Sequence, residues 1–243
     1  MRAAFRMSRP VLVLTAHGSV DPRAAVTTLA VAERVRRDRP ALDVRVAFCE
    51  KSTPCVCDVV ADLRADAVVT PLLLADAYHA RVDIPAMIAR SGAVQAEVLG
   101  VDDRLVKVLR QRVCQLGVSR LDPDVGVVVV AVGSSQQTAN VRTNLAAPAL
   151  VAGTRWAGAV TAFATGPGPS LGSAAERLRA MGARRLVIAP WFLAHGRITD
   201  RVADFAARQA IPMSQPLGSH RLVAATVLAR FDRACADAER LAA

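Results

Sequence analysis

The chain has 243 residues, 53% of them hydrophobic, which is enough for one large domain or for two of about 120 residues each. Its longest apolar stretches are strand-sized and fall short of the roughly 18 residues that a membrane span needs, so a transmembrane protein is excluded. The net charge of +10 comes almost entirely from arginine, and aromatic residues make up only 4%, a composition that favours anionic small molecules over nucleic acid as partners.

The N-terminus and the cysteines predict a cytoplasmic protein. The basic segment MRAAFRMSRP precedes an apolar run of only six residues, too short for the roughly 7–15 residues of a signal-peptide core. The five cysteines are an odd number without a paired framework, which predicts reduced thiols. The one close pair, Cys55-x-Cys57, lacks the CxxC spacing of zinc or redox sites, so the cysteines are expected to be ordinary small buried residues.

The first half of the chain alternates between predicted strands and helices. The opening run, Val11 to Ala16, is short and β-branched, as expected of a strand buried on both faces of a parallel sheet. Further strands are predicted at Leu42 to Glu50, Ala67 to Ala75 and Ala93 to Val101, with amphipathic helices at about 23–39, 57–63, the end of 76–92, and 103–115. This order is typical of a parallel sheet covered by helices on both faces, and the fold class is therefore α/β.

Polar side chains follow three of these strands. His17 comes directly after the first strand, Glu50 ends the second, and His79 follows closely after the third. The carboxyl ends of parallel strands meet at one edge of a sheet, where open α/β folds bind ligands. Two imidazoles and a carboxylate at this edge predict a metal site with open positions. The simpler alternative is that the histidines are hydrogen-bonded turn residues and that Glu50 pairs with a neighbouring arginine.

After the turn-rich segment Leu116 to Gly126 the pattern begins again. VGVVVVAVGSS matches PVLVLTAHGS, GAVTAFATG matches VRVAFCEK, and RRLVIAPWFLAHGR matches ADAVVTPLLLADAY. The sequence therefore predicts an internal duplication, with modules at residues 1–120 and 121–243, each a mainly parallel four-stranded sheet flanked by helices. Val132, Thr165 and Ile198 replace the three polar residues in the second copy, so the metal site is predicted in the first module alone.

The segments LTAHGSVDPRA, VAFCEKSTP, PLLLADAYHARVDIP and PWFLAHGRITDRV resemble those of the sirohydrochlorin chelatases, the class II tetrapyrrole chelatases of sirohaem and cobalamin biosynthesis, in their long two-module form. The resemblance extends over nearly the whole chain. It implies two tandem Rossmann-like, chelatase-type modules and insertion of a divalent metal into a tetrapyrrole. It also implies that His17 and His79 are the metal-binding and catalytic pair, with Glu50 as the acidic ligand.

The chemistry of these side chains agrees with that implication. Imidazole and carboxylate together accept Fe²⁺, Co²⁺, Ni²⁺ or Zn²⁺, and three protein ligands leave positions through which an ion can be transferred. Histidine is also suited to accept pyrrole protons near neutral pH. The carboxylates of a tetrapyrrole substrate are expected to contact Ser19, Arg81, Arg197 and Arg201.

The predicted function is insertion of Fe²⁺ into sirohydrochlorin for sirohaem synthesis. The alternatives are insertion of Co²⁺ into the same ring for cobalamin, or a non-catalytic carrier of metal or tetrapyrrole with the same fold. No cofactor is expected beyond the metal substrate. Some members of the resembling family hold a C-terminal iron–sulfur cluster, which is not expected here because only Cys235 lies in that region. Two modules in one chain predict a monomer.

Overall fold

The structure is a computed structural model that describes residues 10–63 and 67–242. The interpretation of the basic N-terminal segment concerns residues 1–9 and lies outside the described residues. Contacts divide the chain into two compact units, one formed by Met1–Leu99 with Arg221–Ala243 and the other by Gly100–His220. No helix in the described ranges is both long and apolar enough to cross a bilayer.

The first unit is built on a four-stranded parallel sheet. Its strands are β1 (Val11–Ala16), β2 (Val44–Phe48), β3 (Ala67–Pro71) and β4 (Val94–Gln95), in the order β2-β1-β3-β4. Leu12, Val13 and Leu14 of β1 are fully buried, as expected of a central strand between two helical layers. The fourth strand is much shorter than the predicted Ala93 to Val101.

Helices cover both faces of this sheet. They are α1 (Pro22–Asp38), α2 (Val56–Leu63), a π-helical turn (His79–Asp83) that continues into α3 (Ile84–Ile88), and the C-terminal helix, which is α9 (Arg221–Ala242). Asp21 caps α1 by accepting a hydrogen bond from the backbone N–H of Arg23. Pro85 has no N–H to donate within the helical ladder, and the backbone changes there from π to α geometry.

The second unit contains a parallel sheet of β5 (Val125–Ala131), β6 (Gly158–Phe163) and β7 (Arg185–Pro190), in the order β6-β5-β7. Its helices are α4 (Asp103–Cys114), α5 (Gln137–Thr143), α6 (Ala146–Val151), α7 (Leu171–Ala180) and α8 (Arg197–Arg208). Four strands were predicted here. Within the described residues the fourth is reduced to an isolated parallel bridge between Ile188 and Met213.

The predicted module boundary at residues 120 and 121 does not match the compact units. Helix α4 comes from the first half of the chain but packs in the second unit, where the Arg110 guanidinium donates to the carbonyls of Ala149 and Leu150 at 2.8 and 2.9 Å. Helix α9 comes from the second half but packs in the first unit, where Arg230 donates to the carbonyls of Val98 and Leu99. The two halves have thus exchanged one helix each.

The backbone confirms the internal duplication. The register pairs Ala16 with Phe48 in the first sheet and Ala131 with Phe163 in the second. Beyond β2 the Glu50 N–H donates to the His17 carbonyl at 3.0 Å. At the equivalent place the Thr165 N–H donates to the Val132 carbonyl at 2.8 Å. The repeated framework is therefore α/β, with the predicted parallel sheets flanked by helices.

Candidate metal centre at the carboxyl edge of the first sheet

The structure brings the three predicted metal ligands together in the first unit. His17 directly follows β1, Glu50 lies just beyond β2, and His79 begins the π-helical turn after β3. Nδ1 of His17 is 3.3 Å from Oε1 of Glu50, and the centroids of the two imidazole rings are 4.0 Å apart. The side chains of His17 and Glu50 are 40% and 43% exposed, so a ligand from solvent can reach them.

The approach of His17 to Glu50 depends on Gly18. This glycine has a φ of +92°, and a Cβ at this position would lie 1.7 Å from the Glu50 carbonyl oxygen. The absence of a side chain therefore allows the exits of β1 and β2 to contact each other through their backbones. This contact brings the side chains of His17 and Glu50 to the same edge of the sheet.

His17 has an unused ring nitrogen. Its Nδ1 is shielded from solvent and has no hydrogen-bond partner in the part of the chain that the structure describes. The Glu50 oxygen at 3.3 Å is close enough for an ionic contact, but it is not aligned for a hydrogen bond. A shielded nitrogen without a partner is costly in an apolar or protein-lined environment. A ligand positioned between His17 and Glu50 would remove that cost.

His79 is oriented by Asp83, a residue that the sequence analysis missed. Nδ1 of His79 and Oδ2 of Asp83 are 2.6 Å apart, and both side chains are partly buried. Because a carboxylate can only accept, the contact favours the tautomer with its proton on Nδ1 and leaves the Nε2 lone pair free. The spacing of His79 and Asp83 could have indicated this contact, since residues four apart lie on one face of a helical segment.

Replacing Asp83 by Asn is expected to weaken metal binding at His79 by about 10- to 100-fold, since an amide no longer favours the reactive tautomer. Calorimetric titration with Co²⁺ measures the affinity, and ¹⁵N NMR of the metal-free protein reports the protonated ring nitrogen. Asp83→Glu should restore part of the affinity. Asp76→Asn, which alters a carboxylate that pairs with Arg81 instead, serves as the control. Unchanged tautomer and affinity in Asp83→Asn would contradict the positioning role.

Glu50 is ionised and near positive groups. Lys51 donates to its carboxylate, with Nζ 2.8 Å from Oε1, and this hydrogen bond, followed by the charges of His17, Lys51 and His79, lowers the pKa of Glu50. A lowered pKa gives a stabilising contribution that is present above the unfolded-state value and is lost as the pH falls through the folded-state value. Solvent screens this exposed group, so the consequence is an available carboxylate at neutral pH rather than added stability.

An ion pair of Glu50 with an arginine, the simpler alternative, is not present among the described residues. The cation that contacts the Glu50 carboxylate is Lys51.

Cys49, the residue before Glu50, is buried, and burial together with the charges of Asp83 and Glu50 raises the pKa of its thiol to about 11. Cys49 is therefore a neutral thiol at physiological pH.

The predicted substrate-binding residues have several different environments. Ser19 is in a turn, where its Oγ accepts from the Asp21 N–H and its N–H donates to Ser52 Oγ. Arg81 is exposed and forms a two-point contact with Asp76 at 3.0 and 2.7 Å. Arg197 and Arg201 are exposed at the start of α8 in the second unit. Their role with substrate stays a prediction.

His17, Glu50 and His79 form an open group of potential ligands and not a closed coordination site. In the described part of the chain, the one group whose ligand atoms all lie within 4.8 Å of one another is Cys55, Cys57 and Asp58. His17 lies beside both Glu50 and His79, and its contacts join the three side chains. An open set is suited to an ion that is bound and then transferred.

Comparisons with known proteins place the chain in a family. The model of the CbiX family matches residues 11–116 and again residues 126–234. A sirohydrochlorin cobaltochelatase from Priestia megaterium is 27% identical over 206 residues, covering 79% of this chain and 67% of that protein.

Two solved structures have the same fold. SirB from Bacillus subtilis with Fe³⁺ superposes with a TM-score of 0.81 at 21% identity, covering 96% of this chain and 98% of that one. The sirohydrochlorin chelatase SirB from Bacillus subtilis subspecies spizizenii, in complex with cobalt, gives a TM-score of 0.73 at 19% identity, covering 94% and 96%. The twofold match of the family model extends over most of the chain, which therefore belongs to the CbiX family of sirohydrochlorin chelatases.

Proposed function

We propose that this protein inserts a divalent metal ion into sirohydrochlorin, with Fe²⁺ as the metal substrate and His17, Glu50 and His79 as its ligands. The observation that supports this most directly is the convergence of two imidazoles and an ionised carboxylate at one exposed sheet edge, with ring centroids 4.0 Å apart. The nitrogen and oxygen ligand set suits iron and cobalt alike.

The ligands also account for the protons of the reaction. Insertion of M²⁺ releases two protons from the pyrrole N–H groups, so the charge of the ring does not change. Once the ion has left the imidazoles for the ring, the two nitrogens that held it can take one proton each. At His79 the Asp83 carboxylate, 2.6 Å from Nδ1, stabilises the resulting imidazolium.

Insertion of Co²⁺ is the second candidate. It is favoured by the relative named a sirohydrochlorin cobaltochelatase, whereas the solved SirB structures include one with Fe³⁺ and one with cobalt. Anaerobic turnover of sirohydrochlorin with each ion, followed by absorbance, distinguishes the two. We expect acceleration over the spontaneous rate with both metals and a higher kcat/KM with Fe²⁺.

The same assay tests the non-catalytic alternative. A carrier would bind the ring or the metal stoichiometrically without raising the rate of insertion. Wild-type protein that fails to accelerate insertion with either ion would overturn the proposed enzyme function and leave the carrier as the better explanation.

A further inference from the structure

A second group of potential metal ligands lies outside the site described above. Cys55, Cys57 and Asp58 each offer one ligand atom, and these atoms all lie within 4.8 Å of one another. Cys57 Sγ is 3.7 Å from Asp58 Oδ1. The sequence analysis expected ordinary reduced side chains here. In the structure Cys55 and Cys57 are instead joined by a disulfide, which corrects that expectation.

The backbone explains why the three side chains meet. After β2 the chain makes a short loop and returns, so that Cys55 forms a parallel bridge with Phe48. Helix α2 then begins at Val56, with the Val59 N–H donating to the Cys55 carbonyl. Cys55 thus stands immediately before the helix, and Cys57 and Asp58 belong to its first turn.

In the reduced protein this position would stabilise negative charge on the sulfur of Cys55. The Cys57 N–H points to Cys55 Sγ at 3.4 Å, and the start of a helix has a partial positive charge. Cys55 is half-buried and Asp58 is exposed, so the group lies where ions from solvent can reach it. In contrast, Cys49 is a buried thiol and Cys235 a half-buried one, and desolvation raises the pKa of each to about 11.

We propose that reduced Cys55 and Cys57, together with Asp58, form a second metal site that binds a thiophilic divalent ion such as Co²⁺ or Zn²⁺. Two thiolates and one carboxylate placed this closely repel one another, and a divalent cation removes that repulsion. The donors are softer than the imidazole and carboxylate set of the first site, and a fourth position is left for water. The inference concerns binding and does not depend on the proposed chelatase activity.

The disulfide is the closed form of this site, because bonded sulfurs no longer offer thiolates. A low-molecular-weight thiol opens it by thiol–disulfide exchange. The first thiolate attacks one sulfur and forms a mixed disulfide, and a second thiolate releases the protein sulfur. The net reaction converts the protein disulfide and two small thiols into two protein thiols and one small disulfide.

The test is titration of the full-length protein with Co²⁺ under argon, after reduction with a phosphine and its removal by gel filtration. We expect sulfur-to-cobalt charge-transfer absorption in the near ultraviolet and one more bound Co²⁺ per chain than in the oxidised protein. Cys57→Ser and the double variant Cys55→Ser/Cys57→Ser should lose the band and that equivalent. Cys235→Ser is the matched control and should keep both, as should His17→Ala.

Circular dichroism of each variant shows whether it is folded, and Cys57→Ser alters a first-turn helix residue rather than a core position. The proposal is overturned if the reduced wild type shows no charge-transfer band at excess Co²⁺, or if the band persists in the folded double variant. Loss of the band on addition of oxidised glutathione, and its return on renewed reduction, is the result expected for the disulfide as the closed form.

Discussion

His79→Ala is expected to lower kcat/KM for metal insertion by about 100-fold or more, since the variant loses both a metal ligand and a proton acceptor. His17→Ala should have a similar effect, because its ring lies 4.0 Å from that of His79 and 3.3 Å from Glu50. Steady-state assays under anaerobic conditions, with Fe²⁺ and Co²⁺ in turn, measure the loss.

His195→Ala is the matched control for these variants. His195 also follows a strand, but in the second unit, where its Nε2 is 2.9 Å from the amide oxygen of Gln215. The control should retain most of the wild-type activity. Activity of His79→Ala near the wild-type level, in a folded protein, would remove His79 from the mechanism and with it the metal centre described here.

Gly18→Ala is expected to destabilise the first unit by about 2–4 kcal/mol, from steric overlap and from the cost of a positive φ. The added methyl would lie 1.7 Å from the Glu50 carbonyl oxygen, so relief of the overlap must separate the exits of β1 and β2. Metal binding should therefore decrease along with stability. Calorimetry measures the unfolding temperature, and Co²⁺ titration measures binding below that temperature.

The duplication supplies a matched control for this substitution. Gly133 has a φ of +96°, and a Cβ there would lie 2.0 Å from the Thr165 carbonyl oxygen. Gly133→Ala should lower the stability of the second unit by a similar amount while leaving Co²⁺ binding at His17, Glu50 and His79 unchanged. Equal loss of metal binding in both variants would show that the effect is general and does not act through Glu50.

The closeness of His17 and Glu50 could be predicted from sequence because it depends on strand ends. A short β-branched run predicts a buried parallel strand, and parallel strands place their carboxyl ends at one edge. The sequence therefore predicted that His17 and Glu50 share one edge, and the pairing of β1 with β2 in the structure places Nδ1 of His17 3.3 Å from Oε1 of Glu50. The repeat made the prediction stronger, since Val132 and Thr165 occupy the same backbone positions without metal ligands.

Contacts that depend on side-chain direction were not predictable in the same way. Arg81 was expected to meet substrate and is held by Asp76, whereas Asp83 was overlooked and orients His79. Cys55 and Cys57 were taken as unremarkable because their spacing is not that of a CxxC motif. The contact of His79 with Asp83 follows from a π-helical turn, and that of Cys55 with Cys57 from a helix start.

The sequence by itself determined the α/β class, the duplication, and which strand ends carry His17, Glu50 and His79, because these follow from the periodicity of apolar residues along the chain. Only the tertiary structure decided where α4 and α9 belong. Leu105 and Leu109 show that α4 has an apolar face, and both are buried. An apolar face shows that a helix is buried, but it does not show against which sheet the helix packs. In the structure α4 packs in the unit formed mainly by the second half of the chain, and α9 packs in the unit formed mainly by the first half.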